Sequence, residues 1–537
     1  MNTSQVIIEY LAAAGIRHIF GYPGDPTVEF LEAARREGMR FILGSREGTA
    51  GLMAQAYGQL TGRPGVCLST LGPGATNLVN AVANAYLDRV PMLAISGQIE
   101  GKREPYFTHQ VVDHKRIFSS ISKWTTAVQP DTVATIMRKA LRIATAERPG
   151  PVHITAAADV VGVEASDHVV SLPPMRARRE NWTPQIFSTG AGQVDPVKLL
   201  KASRRPMILA GVSAVWSEAG DALVKLAEEI GCPLVVAPMA KGLMPEDHPL
   251  FAGTLDMACN GYIWDFLGQA DLLLAVGFDG VELIKPWSLN VPTIHIDTLP
   301  NSDQIYQSEL EIVGDIAGIL DALRTACGTL ERWSEQEIAN HRGGLQDRYY
   351  VGRVSGRINP TDVVDVVRRI MPRDTIVATD VGSHKLLIGQ GWTTYHPRTL
   401  LTSNGLSSMG YSLPAAIAAK LIHPERPVVS FTGDGGLAMV QGELRVAATL
   451  KVDPLVVVFC DNSLNRIELK QSARHYPSWG TLIEPTDMAM LAQAMGCDGI
   501  NVDSIQSLES VLNGARAKDR PLVIGVKIDP AQYAAQF

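Results

Sequence analysis

The 537-residue sequence has little of several things, and each shortage removes a class of function. It has no basic excess: 48 Lys and Arg stand against 55 Asp and Glu, a net charge of −7, so there is no general footprint for nucleic acid. It has only six cysteines, none closely paired, which argues against a disulfide framework and for a reducing compartment. No run of about 20 apolar residues is free of charges or helix breakers, so no membrane span is expected. The opening residues, Met1 to Tyr10, lack the basic start of a secretory leader, and a cytoplasmic location is the expectation. No Gly-rich loop ends in Gly-Lys-Ser/Thr, and no strand–turn–helix carries a full dinucleotide fingerprint. Gly72-Pro73-Gly74 is the nearest approach, and it lacks the third glycine and the following acid. His109, His114 and His384 do not form a metal-ligand spacing.

What is present is apolar residues, 46% of the chain, and 48 glycines, above average usage. The length implies about three domains. Short apolar runs alternate with helical patterns of 10–20 residues, the signature of βαβ units around a parallel sheet. His18-Ile19-Phe20 runs into Gly21-Tyr22-Pro23-Gly24-Asp25, Val66 to Ser69 into Gly72-Pro73-Gly74, and Met207 to Leu209 and Leu272 to Val276 repeat the pattern. Two stretches break it: residues 166–193, with Pro173, Pro174 and the charged cluster from Arg176 to Glu180, and residues 327–359, charged and poor in apolar runs. Both read as linkers. The expected domains are therefore 1–165, 190–330 and 358–537, each a parallel sheet flanked by helices in an α/β protein.

The most informative stretch is Phe431 to Gln471. Val428 to Phe431 ends in Thr432-Gly433-Asp434-Gly435-Gly436, and Leu455 to Phe459 ends in Cys460-Asp461-Asn462-Ser463. The acids lie 461 − 434 = 27 positions apart. Neighbouring parallel strands would deliver both to one carboxyl-end edge. Two oxygen ligands beside glycine N–H groups suit Mg²⁺ holding a diphosphate. Two ordinary strand–loop junctions would read the same.

Several stretches in this order resemble the thiamin-diphosphate-dependent enzymes of the acetolactate synthase and 2-oxoacid decarboxylase group. They are Arg46-Glu47-Gly48 with its following helix, Leu71-Gly72-Pro73-Gly74-Ala75-Thr76-Asn77, Pro91 to Gln98, Thr379-Asp380-Val381-Gly382-Ser383-His384, Gly405 to Gly410, and the opening stretch. The resemblance covers essentially the whole chain. It implies a pyrimidine-binding first domain, a central domain and a diphosphate-binding third domain, in a homodimer or homotetramer with active sites between subunits. It implies Mg²⁺ on Asp434, Asp461 and the Ser463 carbonyl, and Glu47 hydrogen-bonded to the cofactor's pyrimidine. Gly24, Gly74, Asn77, Val381, Gly382, Ser383, His384, Ser407, Gly433, Gly435, Gly436, Leu464 and Asn465 would contact thiamin diphosphate, with Met409 holding its bent form. The family more often has Asn at the second metal position; the ungapped spacing from Asp434 selects Asp461 over Asn462.

The same resemblance leaves the reaction divided. Asp25 resembles the loop acid of aldehyde-forming decarboxylases, and His109 falls near their histidine pair. Gln110-Val111-Val112-Asp113 and Lys123 look more like the synthases. Val276-Gly277-Phe278-Asp279-Gly280 retains Phe-Asp of the flavin-containing synthases but loses the flanking arginines, which disfavours FAD in the central domain. The expected activity is decarboxylation of a 2-oxoacid such as pyruvate followed by carboligation, with aldehyde release as the alternative. The small-molecule substrate leaves no role for nucleic acid or membrane.

Overall fold

The computed structural model describes residues 1–172, 174–175, 183–188 and 194–536. Its frame is built from β1 (His18–Tyr22), α1 (Glu47–Thr61), β2 (Gly65–Ser69), α2 (Pro73–Leu87), β3 (Pro206–Ala210), α3 (Val212–Trp216), β4 (Leu272–Val276), β5 (Ile376–Thr379), α4 (Ser412–Ile422), β6 (Val428–Gly433), α5 (Asp434–Val440), β7 (Leu455–Cys460) and α6 (Asn465–Ser472). Among the described residues the strands form three sheets flanked by helices, of six, seven and six strands. Numbered along each sheet's own sequence, the first and third share one order, 2-1-3-4-6-5. The central sheet runs 3-2-1-4-5-6 once its extra edge strand is set aside.

That extra strand is Gln185–Ser188, within the stretch read as a linker, and it pairs antiparallel with Leu310–Val313. The Arg176 to Glu180 cluster lies outside the described residues. The second stretch read as a linker also carries structure: Glu335–Tyr349 is a helix capped reciprocally by Ser334 and Glu337. It is anchored through the sparse set Ile338, His341 and Tyr349 rather than a full apolar face, so its charged composition hid it.

The central strands of each sheet are covered on both faces, which is why they read as continuous apolar runs. Val428 to Thr432 and Leu455 to Phe459 are all buried. Burying each Val, Leu or Phe side chain is worth roughly 1.5–3 kcal/mol. Pro73 opens α2 where its missing N–H costs nothing, and Gly62, at φ +68°, ends α1 in the left-handed region. One core cluster runs through the first and third blocks, joining Ala50, Met53 and Tyr57 of α1 with Leu413, Ala416 and Ile417 of α4. The central block is tied to the first by buried Asp279, which pairs with Arg89 at 2.8 Å and Arg148 at 3.3 Å. Among the described residues no helix is long and apolar enough to cross a membrane.

Candidate active site

Strands β6 and β7 pair in parallel with Gly433 opposite Phe459, so Asp434 and Asp461 leave the same sheet edge. Both line a cavity of about 220 Å³. Around them stand Val381, Gly382, Ser383, His384, Met409, Gly433, Gly435, Gly436, Ser463, Leu464 and Asn465, all expected from sequence. The register is fixed by the turn after β7. Asn462 adopts φ +57°, donates its N–H to Asp434 Oδ2 at 2.8 Å, and turns its side chain to solvent, leaving Asp461 at the cavity.

The electrostatics of this edge are those of two crowded, desolvated carboxylates. Burial, and then the charge of Asp434, push the Asp461 carboxyl up to about 7. Burial also raises Asp434, against the N–H groups of Asn462 and Gly435. Across the cavity wall His384 stacks on Phe459 at 5.3 Å, and burial lowers its imidazole to about 3. Its buried Nε2 has no hydrogen-bond partner among the described residues. A neutral imidazole nitrogen, glycines and two carboxylates make a donor set that fits a magnesium diphosphate. Added Cβ atoms at Gly435 and Gly436 would lie 2.8 Å from Ile483 Cδ1 and 2.9 Å from Asp380 Oδ2, so only glycine leaves this floor open. Among the described residues no group of three or more His, Cys, Asp or Glu side chains gathers to hold a metal. Two carboxylates are what this edge offers, with Ser463 beside them in the lining.

The first block supplies the other expected residues as a separate cluster. Glu47 is the first residue of α1 and is buried. Its Oε2 accepts a 3.0 Å hydrogen bond from Asn77 Nδ2 on α2. A Cβ on Gly74 would sit 3.1 Å from Glu47 Oε1 and 2.8 Å from Thr70, and one on Gly24 would overlap Thr70 Oγ1 at 2.2 Å. Gly24, Thr70, Gly74, Glu47 and Asn77 are thus contiguous. Asp25 is exposed at the start of the short turn Asp25–Thr27. Gln110 is held in the left-handed region at φ +60°, and a Cβ on Gly72 would lie 2.5 Å from its carbonyl oxygen. His109 is exposed and meets Phe107 edge-on at 6.5 Å.

Ser407 lines an adjoining space of about 700 Å³ rather than the acid-lined cavity, and it shares that space with Val381 and Gly382. Sequence reasoning did not anticipate Phe459, Arg466, Ile467 and Tyr533 in the cavity wall. Tyr533 arrives from the last helix, and no local pattern announces that return. Asn465 could have suggested Arg466 and Ile467, since all three begin α6. Another space, about 950 Å³ and lined by Arg342, Tyr349 and Arg368, contains neither acid.

Three stretches of the chain match the models of one enzyme family. Residues 1–117 match the thiamine pyrophosphate enzyme N-terminal TPP binding domain, 195–323 its central domain, and 380–526 its C-terminal TPP binding domain. A probable acetolactate synthase large subunit of Methanocaldococcus jannaschii is 31% identical, over 99% of this chain and 93% of that protein. A catabolic acetolactate synthase of Raoultella terrigena is 29% identical, over 98% and 95%. A probable 2-ketoarginine decarboxylase of Pseudomonas aeruginosa is 30% identical, over 95% and 91%.

Proposed function

Because the chain belongs to the thiamine pyrophosphate enzymes of the acetolactate synthase and 2-oxoacid decarboxylase group, we propose that it decarboxylates a 2-oxoacid such as pyruvate and joins the product to a second carbonyl compound. The observation that carries this reading is the pair Asp434 and Asp461 on one cavity edge, facing His384 and the glycine floor. Asp434, Asp461 and the Ser463 carbonyl would hold Mg²⁺ and, through it, the diphosphate. Thiamin diphosphate, when bound, supplies an electron sink for the carbanion left by loss of CO₂.

The chain's own groups do the rest. Asn77 fixes one carboxylate oxygen of Glu47, and Gly74 clears the other, Oε1, to hold a proton at the cofactor's pyrimidine. Met409, whose Cε lies 4.0 Å from the position of a Cβ on Gly435, would support the cofactor's bend. Phe459, Leu464 and Ile467 make part of the cavity wall apolar.

Glu47 and Asp434 draw their hydrogen bonds from separate blocks, Asn77 for one and Gly435 and Asn462 for the other. Large apolar side chains are exposed on both blocks: Tyr22 and Leu43 at 43% and 53%, Met439 and Trp479 at 53% and 83%. A homodimer or larger assembly that closes each site between two copies would cover them. The six cysteines are all unpaired, in keeping with a reducing, cytoplasmic setting.

Flavin is possible in this reading but not favoured. In a 3-2-1-4-5-6 sheet a dinucleotide lies across the crevice at the strand ends, here those of β3 and β4. At those ends the loops of the chain bond to one another. Gly211 N–H donates to Val276 O at 2.9 Å, Ser213 N–H to Gly277 O at 2.9 Å, and Val212 N–H to the buried Glu282 carboxylate at 2.8 Å.

A second reading, aldehyde release, is favoured by exposed Asp25 beside Gly24 and by the likeness to a 2-oxoacid decarboxylase. The purified protein should be incubated with pyruvate, thiamin diphosphate and Mg²⁺, and acetolactate, acetoin and acetaldehyde resolved. Acetolactate is expected. Acetaldehyde alone would replace the synthase reading with the second.

A further inference from the structure

Helix α2 carries a polar stripe at Asn77, Asn80 and Asn84, continued by Asp88 at its carboxyl end, spaced three, four and four residues apart and therefore on one face. Asn77 serves Glu47. The other three grip a single segment of the third block, residues 403–408. Asn80 Nδ2 donates to Ser408 Oγ at 2.7 Å, and Asn84 Oδ1 accepts from Ser403 Oγ at 2.6 Å. Asp88 Oδ1 accepts from the N–H groups of Asn404 and Gly405 at 3.0 and 2.7 Å. Gln55 closes the network, donating to Asp88 Oδ2 at 2.9 Å and accepting from Asn84 at 2.7 Å.

This segment is irregular, so its backbone groups must find partners outside any ladder. A Cβ on Gly405 would lie 2.7 Å from Leu87 Cβ, so the segment lies directly on the end of α2. The next residue after Ser408 is Met409, which lines the acid-bearing cavity. On its far side Gly410 N–H is held by Asp380 Oδ1 at 2.9 Å. Met409 is therefore strung between two fixed points, one from each block.

We propose that Asn80, Asn84 and Asp88 are positioning residues that set Met409 against the thiazolium end of thiamin diphosphate, so that one rigid helix fixes both Met409 and, through Asn77, Glu47. The inference rests on the cofactor reading above. If each active site is closed between two copies, α2 of one chain serves Glu47 in one site and Met409 in the other.

The test is calorimetric titration of the full-length, cofactor-free chain with two probes in the presence of Mg²⁺: thiamin diphosphate, and inorganic diphosphate, which reaches only the Asp434 end. Asn80→Ala should weaken thiamin diphosphate about tenfold. Inorganic diphosphate should change by less than about twofold, and the melting temperature of the free chain by less than about 2 °C. Asp88→Asn should follow the same split, and Asn80→Asp, which gives up the Nδ2 donor but keeps the oxygen that accepts from the Ser408 hydroxyl at 3.1 Å, should recover part of the affinity. Equal weakening of both probes would mean that the stripe is only interdomain adhesive. Unchanged thiamin diphosphate affinity in Asn80→Ala would also overturn the proposal. A parent chain that binds neither probe would overturn the cofactor reading, and this inference with it.

Discussion

Asn77 Nδ2 lies 3.0 Å from Glu47 Oε2, a contact between the first turn of α2 and the first residue of α1 that occupies one carboxylate oxygen and leaves the other beside Gly74. The contact orients the acid. Glu47→Gln retains the shape and a partner for Asn77 but removes the proton-holding oxygen. Turnover of a 2-oxoacid should fall about 10²- to 10⁴-fold, with the melting temperature within about 2 °C of the parent. Steady-state CO₂ release and a thermal melt check both; retained turnover would refute the role of Glu47.

Magnesium binding should release a proton near neutrality. A carboxylate must be ionised to ligate, and the Asp461 carboxyl is pushed up to about 7 by burial and then by the charge of Asp434. Below that value a proton must leave before the ion enters. Apparent Mg²⁺ affinity should therefore fall about tenfold per pH unit on acidification below 7 and level off above it. Calorimetry in buffers of different ionisation enthalpy measures the proton directly. Affinity independent of pH from 5.5 to 8 (roughly one unit or more either side of that value) would contradict it.

Asp279→Ala should cost about 3–5 kcal/mol in chemical unfolding, because it strands Arg89 at a buried junction and leaves Arg148 with Asp303 alone. Burial pulls the Asp279 carboxyl upward, but the hydrogen bond and charge of Arg89, with the charge of Arg148, hold it below its ordinary value. Its folded value is thus depressed. The stability it contributes is present above the ordinary aspartate range and is lost as pH falls through the depressed value. The gap between parent and variant should close on acidification. A gap that widens would reverse the sign.

Purified protein should be colourless, and the supernatant after denaturation should lack flavin fluorescence. Added FAD should produce no saturable quenching in the parent chain. Stoichiometric flavin would mean that the Glu282 carboxylate does not close the central crevice.

Much of this was legible in sequence because the determinants are local. Strands buried on both faces announce themselves as apolar runs, and the glycines and acids that end β6 and β7 lie adjacent to those runs. That Asp434 and Asp461 leave the same sheet edge was legible too, since each ends one of two neighbouring parallel strands. What escaped is what the chain brings together from afar. Tyr533 enters the cavity wall about 70 residues after β7, and Asp279 meets arginines from the first block. The helix Glu335–Tyr349 escaped for a different reason. It buries so few side chains that its composition resembles a solvated connection.

The closed edge of the central sheet acts as a gauge. A Cβ on Gly211 would lie 2.5 Å from Phe278 Cα, and one on Gly277 would lie 2.2 Å from Ala214 N. The turns after β3 and β4 therefore stand closer than a methyl group allows. Alanine at either glycine would wedge them apart and displace Glu282 and Asp279, which follow directly. Glu282 O accepts from Asn404 Nδ2 at 3.0 Å, and Asp279 holds Arg89. A change of one carbon in the central block would thus be transmitted to the segment that carries Met409.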